Sequence, residues 1–154
     1  MNMKSLSKLF QMTLFLLVVS ISAHCSAASL PETEFMLGDI HIGADEEYVV
    51  GIYGPPTQRV IGSQGQLAYL MYGDAFRLDF YDGVVYSMVV SQANGIGTPS
   101  GIRVGIPMSS VFDKFGYGAI VSNGARTFYA NNGKKRMWIT TDNRARIREI
   151  KVQG

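Results

Sequence analysis

The side chains able to do chemistry are few. The chain holds two histidines, His24 and His41, and one cysteine, Cys25. Zinc and thiol-redox centres need several such groups held together, so neither is expected. His41, in Ile40-His41-Ile42, reads as a solvated histidine on a short strand. Ser109-Ser110 has no Gly-x-Ser-x-Gly elbow and no oriented base, and reads as the polar opening of a helix. Asp39, Asp45, Glu46 and Glu47 cluster without the spacing of an EF-hand loop. Gly95-Ile96-Gly97 belongs to no Walker or dinucleotide pattern. No catalytic constellation stands, so the expectation is a non-enzyme with no cofactor and no metal.

Binding chemistry is better represented. Residues 28–92 carry nine acids and two bases, a balance of −7, whereas 93–154 carry three acids and ten bases, a balance of +7. The bases of the second half concentrate at Lys134, Lys135 and Arg136, and again at Arg144, Arg146, Arg148 and Lys151. Placed on adjacent strands, the two groups would make one basic patch for an acidic protein or an anionic envelope polymer or lipid surface. The plainer reading is that oppositely charged halves attract across their own junction. Tyr69, Tyr81, Tyr86, Tyr129 and Trp138 are candidates for aromatic anchors on an exposed sheet face, with cross-strand packing as the alternative. For Trp138 that placement depends on Met137 and Ile139 facing the core. Candidate binding residues are therefore Lys134, Lys135, Arg136, Arg144, Arg146, Arg148, Tyr81 and Trp138. Nucleic acid is not an expected partner: the chain from Ala28 has zero net charge and no nucleic-acid-binding motif.

The N-terminal residues give an address. Lys4 and Lys8 precede a ten-residue apolar stretch, Met12 to Ile21, and small residues follow at Ser26-Ala27-Ala28. This is the pattern of a secretory signal peptide over 1–28, and ten apolar residues fall short of the ~20 that span a bilayer. A lipid anchor on Cys25 is not expected, because Ser22 and His24 stand where a lipobox favours Leu and a small residue. Cleavage at Ala27 or Ala28 leaves a mature chain without cysteine or a membrane span, secreted or held in the periplasm or cell envelope.

The elements that must position these residues recur. At an offset of 62, Ile40-His-Ile-Gly43 matches Ile102-Arg-Val-Gly105, Val49 matches Val111, and Tyr53-Gly54 matches Phe115-Gly116. Val85, Met88 and Val90 match Ile147, Ile150 and Val152 in the same register. Each unit reads as a short strand, a glycine turn, a helix and three strands. The first helix has Asp45 as cap and Glu46 and Glu47 in its opening turn; the second has Pro107 at its first position. The strands are 67–72, 75–81 and 84–91, then 127–130, 136–141 and 144–152. Their turns are Gly73-Asp74, Asp82-Gly83, Asn131 to Lys135 and Asp142-Asn143. Apolar positions at i, i+3 and i+5 in the last strand of each unit call for a bulge.

The expected fold class is α+β. It is a tandem repeat of helix plus three antiparallel strands, with both helices packed on one face of a continuous antiparallel sheet. A signal peptide (1–28) precedes an acidic repeat (29–92), a linker (93–101) and a basic repeat (102–154), the repeats forming one compact unit.

Ile40-x-x-Gly43, Val49, Tyr53-Gly54-Pro55-Pro56 and Phe80-Tyr-Asp-Gly83-Val84 together resemble small bacterial envelope modules of the SmpA/OmlA type. They are also similar to the duplicated fold of the secreted beta-lactamase inhibitor protein. The resemblance spans most of 37–92 and, more weakly, 100–153. It implies short helices on an antiparallel sheet and a habit of binding other proteins. The chain departs from it in lacking both a lipobox and mature cysteines. The function expected is an exported, non-enzymatic protein-binding or envelope-associated module; the alternative is an electrostatic binder of anionic polymer or lipid through its basic second repeat.

Overall fold

The structure is a computed structural model that describes residues 30–116, 119–120 and 127–154. The expected signal peptide, with Cys25, lies outside the described residues. A 3₁₀ turn at Glu32–Glu34 leads into a small hairpin of β1 (Met36–Leu37) and β2 (Ile40–His41). Helix α1 (Glu46–Tyr53) follows, then β3 (Gln58–Ile61), β4 (Leu67–Tyr72), β5 (Phe76–Tyr81) and β6 (Val84–Val90). Helix α2 (Ser109–Phe115) precedes β7 (Ala119–Ile120), β8 (Thr127–Asn131), β9 (Arg136–Thr141) and β10 (Ile147–Gln153). Strands β3 to β10 form one antiparallel sheet in the order 3-4-5-6-10-9-8-7. Two meanders thus meet along a single seam, β6 against β10.

The class is α+β, mostly antiparallel sheet with two helices. The expected unit of a helix plus three strands is corrected: four sheet strands follow each helix. The additional strands, β3 and β7, are the two sheet edges. An edge strand pairs on one side only, and β3 has no buried residue to mark it by alternation.

Local chemistry explains the helices. In α1 the Asp45 carboxylate accepts the Tyr48 N–H at 2.8 Å, Glu46 and Glu47 occupy the first turn, and Gly54 at φ 74° ends it. Helix α2 has no side-chain cap and begins after Met108. Pro107 therefore stands ahead of the helix rather than at its first position. It is held there by a bridge to Arg146, as Asp45 is by one to Val84.

The strand register sorts the side chains. Phe76, Leu78 and Phe80 of β5 share one face with Leu70, Val85, Met88 and Val90, and across the seam with Ile150, Val152, Met137, Ile139, Phe128 and Ala130. All of these are buried. Both helices cover this face. The Tyr53 ring lies 5.5 Å from Phe76 and 5.1 Å from Tyr72, and Phe115 lies 6.0 Å from Phe128. Each of the two seam strands contains a register shift, leaving Tyr86 in β6 and Arg148 in β10 without an opposite residue. The bulges read from the apolar spacing are present.

Several backbone contacts recur 62 positions apart. Gly43 N–H donates to Val85 O at 2.8 Å and Gly105 N–H to Ile147 O at 2.7 Å. Val85 N–H donates to Ala44 O and Ile147 N–H to Ile106 O. Gly43 and Gly105 have φ of 93° and 96°, a conformation only glycine adopts without strain.

Candidate functional site

The sheet's other face carries no helix among the described residues. Its side chains fall in cross-strand rows. One row runs Met71, Arg77, Val89, Lys151 and Trp138, and a second runs Tyr69, Asp79, Ser87, Gln153 and Arg136. Both rows cross the seam, so a ligand laid along either row meets residues from both halves. Arg77 donates from Nε to Asp79 at 2.6 Å and lies 4.1 Å above the Tyr69 ring. The Lys151 ammonium lies 5.6 Å from the Trp138 ring centre. Cations laid on aromatic rings hold long side chains flat and present amphipathic surface, a composition common in protein interfaces. Trp138 is thus on the open face, between the buried Met137 and Ile139. Tyr81, at the end of β5, is 75% exposed and meets Tyr86 edge-to-face at 6.3 Å.

The basic candidates are not brought together. Lys134, Lys135 and Arg136 lie at the start of β9, Arg144 and Arg146 in the turn past its end, and Arg148 in β10 level with Thr140 and Thr141. From Arg136 to the far end of β9 is a run of six strand residues, about 17 Å at 3.4 Å per residue step. Two are already engaged: Lys135 pairs with Glu32 at 2.8 Å, and Arg146 donates to Gly105 O at 2.7 Å. Lys134, Arg136, Arg144 and Arg148 are exposed; the charge of Lys134 acts on Glu32 and that of Arg144 on Asp142. The hydrogen bond from Lys135 holds the Glu32 carboxyl below its usual range. That pair joins the acidic half to the basic one. Ser100 adds a second tie, donating its hydroxyl and backbone N–H to Glu34.

Among the acids, Asp45 caps α1 and Glu46 forms a bidentate pair with Arg59 at 2.6 and 2.9 Å, which lowers the Glu46 pKa. His41 stacks edge-on against Tyr48 at 5.2 Å. No group of three His, Cys, Asp or Glu suited to a metal ion occurs among the described residues. No described helix is long and apolar enough to cross a membrane.

One feature escaped the sequence. A cleft of about 350 Å³ opens where the β1–β2 turn meets the inter-half loop, lined by Asp39, Tyr53, Ile96, Thr98 and Arg103 among others. Tyr53 OH donates to Gly38 O at 2.8 Å across it, and burial raises the Tyr53 pKa. The Gly38-Asp39 and Gly95-Ile96-Gly97 turns were the only sequence signal, and turns do not reveal what they face.

No protein-family model and no curated protein sequence matches this chain. Solved structures do. A cysteine-rich secretory protein from Staphylococcus aureus is similar over 83% of this chain and 49% of its own, at 10% identity and TM-score 0.60. An extracellular protein containing a SCP domain from Bacillus anthracis is similar over 73% and 43%, at 11% identity and TM-score 0.55. The chain spans less than half the length of each. A DUF4309 family protein, YjgB, from Bacillus subtilis is similar over 82% of this chain and 88% of its own, at 9% identity and TM-score 0.52. At these identities the likeness is one of fold. It overturns the resemblance to SmpA/OmlA modules and the beta-lactamase inhibitor protein. The glycines, helix stop and apolar spacing that carried that resemblance are demands of any helix followed by a meander.

Proposed function

We propose that this chain is an exported, non-enzymatic binding module that takes a protein partner on the helix-free face of its sheet. The observation that carries the reading is the row Met71, Arg77, Val89, Lys151 and Trp138, which draws on both halves and combines apolar, aromatic and cationic groups. Export is supported by the leader pattern of 1–28 and by two structural neighbours described as extracellular or secretory. We also read the two halves as copies of one helix-plus-strands unit, supported by hydrogen bonds that recur at the sequence offset of 62.

The test is crosslinking and affinity capture from the envelope fraction and medium of the producing cell. Wild type is compared with an Arg77→Ala, Trp138→Ser, Lys151→Ala variant whose fold is checked by circular dichroism. A protein retained in high salt by wild type and lost by the variant supports the reading. Capture that the variant leaves unchanged, or no captured protein at all, overturns it.

The electrostatic alternative draws support from the exposed Lys134, Arg136, Arg144 and Arg148. Their separation to two ends of β9 weakens the idea of a single patch. Binding to anionic vesicles that disappears in salt and on replacing Lys134, Lys135 and Arg136 by Ser would favour it.

A further inference from the structure

The two long central hairpins, β5–β6 and β9–β10, point to opposite ends of the sheet. Val90 pairs with Ile150 and Ser87 with Gln153, so the start of each seam strand lies beyond the end of the other. The two tips are about 30 Å apart at 3.4 Å per residue. They are built alike: Gly83 at φ 78° and Ala145 at φ 57° stand 62 positions apart, as do Tyr86 and Arg148 at the two bulges.

Their surfaces are opposite. The β5–β6 tip concentrates exposed apolar and aromatic surface: Tyr81 at 75%, Val84 at 38% and Tyr86 at 37%. Asp82 sits in its turn, and Asp45 is joined to it through the bridge to Val84, with Glu47 following on α1. The β9–β10 tip carries Arg144 and Arg148, both exposed, and the turn holds a single acid, Asp142, so the tip is net basic. The chain already lays one arginine over a tyrosine, Arg77 on Tyr69. The β8–β9 turn with Lys134 shares the acidic end, but Arg136 and Ser87 both lie level with Gln153 and the β5–β6 tip continues past Ser87.

We propose that the occupant of each tip is a second copy of this chain: the arginines of one β9–β10 hairpin dock on the tyrosines and carboxylates of the next copy's β5–β6 hairpin. Both complementary surfaces belong to one polypeptide, on equivalent hairpins facing opposite ways. Such a contact is head-to-tail, so it leaves a free tip at each end and propagates as an open chain or closes as a ring. A tip-to-tip contact is small, so the association is weak and salt-sensitive. It uses the hairpin ends and not the open face, and stands or falls separately from the function proposed above.

Sedimentation velocity over a concentration series tests it. At low salt the purified protein should grow in average mass with concentration, and high salt should return it to monomer. One variant, Arg144→Ser with Arg148→Ser, removes the basic tip; another, Tyr81→Ser with Asp82→Asn, removes the aromatic-acidic tip. All four side chains are exposed, and unchanged melting temperatures confirm the folds. Each variant alone should be monomeric, and the two mixed should form a dimer that grows no further, because each supplies the tip the other lacks. A wild-type protein that stays monomeric at every concentration, or assembly that survives in either variant, overturns the proposal.

Discussion

Asp142 holds the β9–β10 turn together. Its Oδ1 accepts the N–H groups of Arg144 and Arg146, each at 2.9 Å, and these bonds, that from Arg146 foremost, hold its pKa below the ordinary 3.8. A carboxyl with a depressed folded-state pKa contributes stability above its unfolded value and loses it as pH falls through the folded one. Asp142→Ala should therefore lower the melting temperature near neutrality and leave a shallower decline in acid, measured by thermal unfolding on both sides of pH 3.8. The role was legible because an Asp in a turn bonds the backbone just ahead of it. Lys135 with Glu32 and Arg146 with Gly105 O were not legible. Those partners are far apart in sequence, and nothing in either residue's neighbours names the other.

At the scale of elements, Gly43 and Gly105 end short extended segments with φ near 95° in both halves. Little surrounds either position: nothing lies within 4 Å of a Cβ on Gly43, and only Ala93 Cβ, at 3.5 Å, near one on Gly105. Gly43→Ala and Gly105→Ala should then report backbone strain almost alone, with similar losses of about 1 to 3 kcal/mol each by urea unfolding. Val111 is the fully buried residue of α2, and Val111→Ala should cost about 2 kcal/mol in the same assay. Both helices and the six inner strands were legible, since one buried stripe or one buried face writes its period into the residues. The edge strands were not. Gln58-Arg59-Val60-Ile61 follows Pro55-Pro56 and buries nothing fully, so its pairing leaves no mark on residue type. Conversely, the strand expected at 102–104 reduces to a bridge between Gly97 and Arg103.

For the whole molecule, the split of charge was legible and the strand order was not, because local turns and apolar spacing do not encode which strands become neighbours. Six of the seven bases expected in one patch lie toward the two ends of β9 for a related reason: adjacency of strands says nothing about which end of a strand a residue occupies. The strand order 3-4-5-6-10-9-8-7 has a consequence for how the sheet comes to exist. Every pairing inside a meander joins strands consecutive in sequence, while the seam joins residues such as Val90 and Ile150, about sixty positions apart. Local contacts close quickly and distant ones slowly. In stopped-flow chevrons a double-mutant cycle of Val90→Ala with Ile150→Ala should accordingly place their coupling in the unfolding rate and little of it in the refolding rate, whereas Leu78→Ala inside a meander should slow refolding. Each meander is then a separate early event in time, and the seam is the last part of the sheet to form and the first to part.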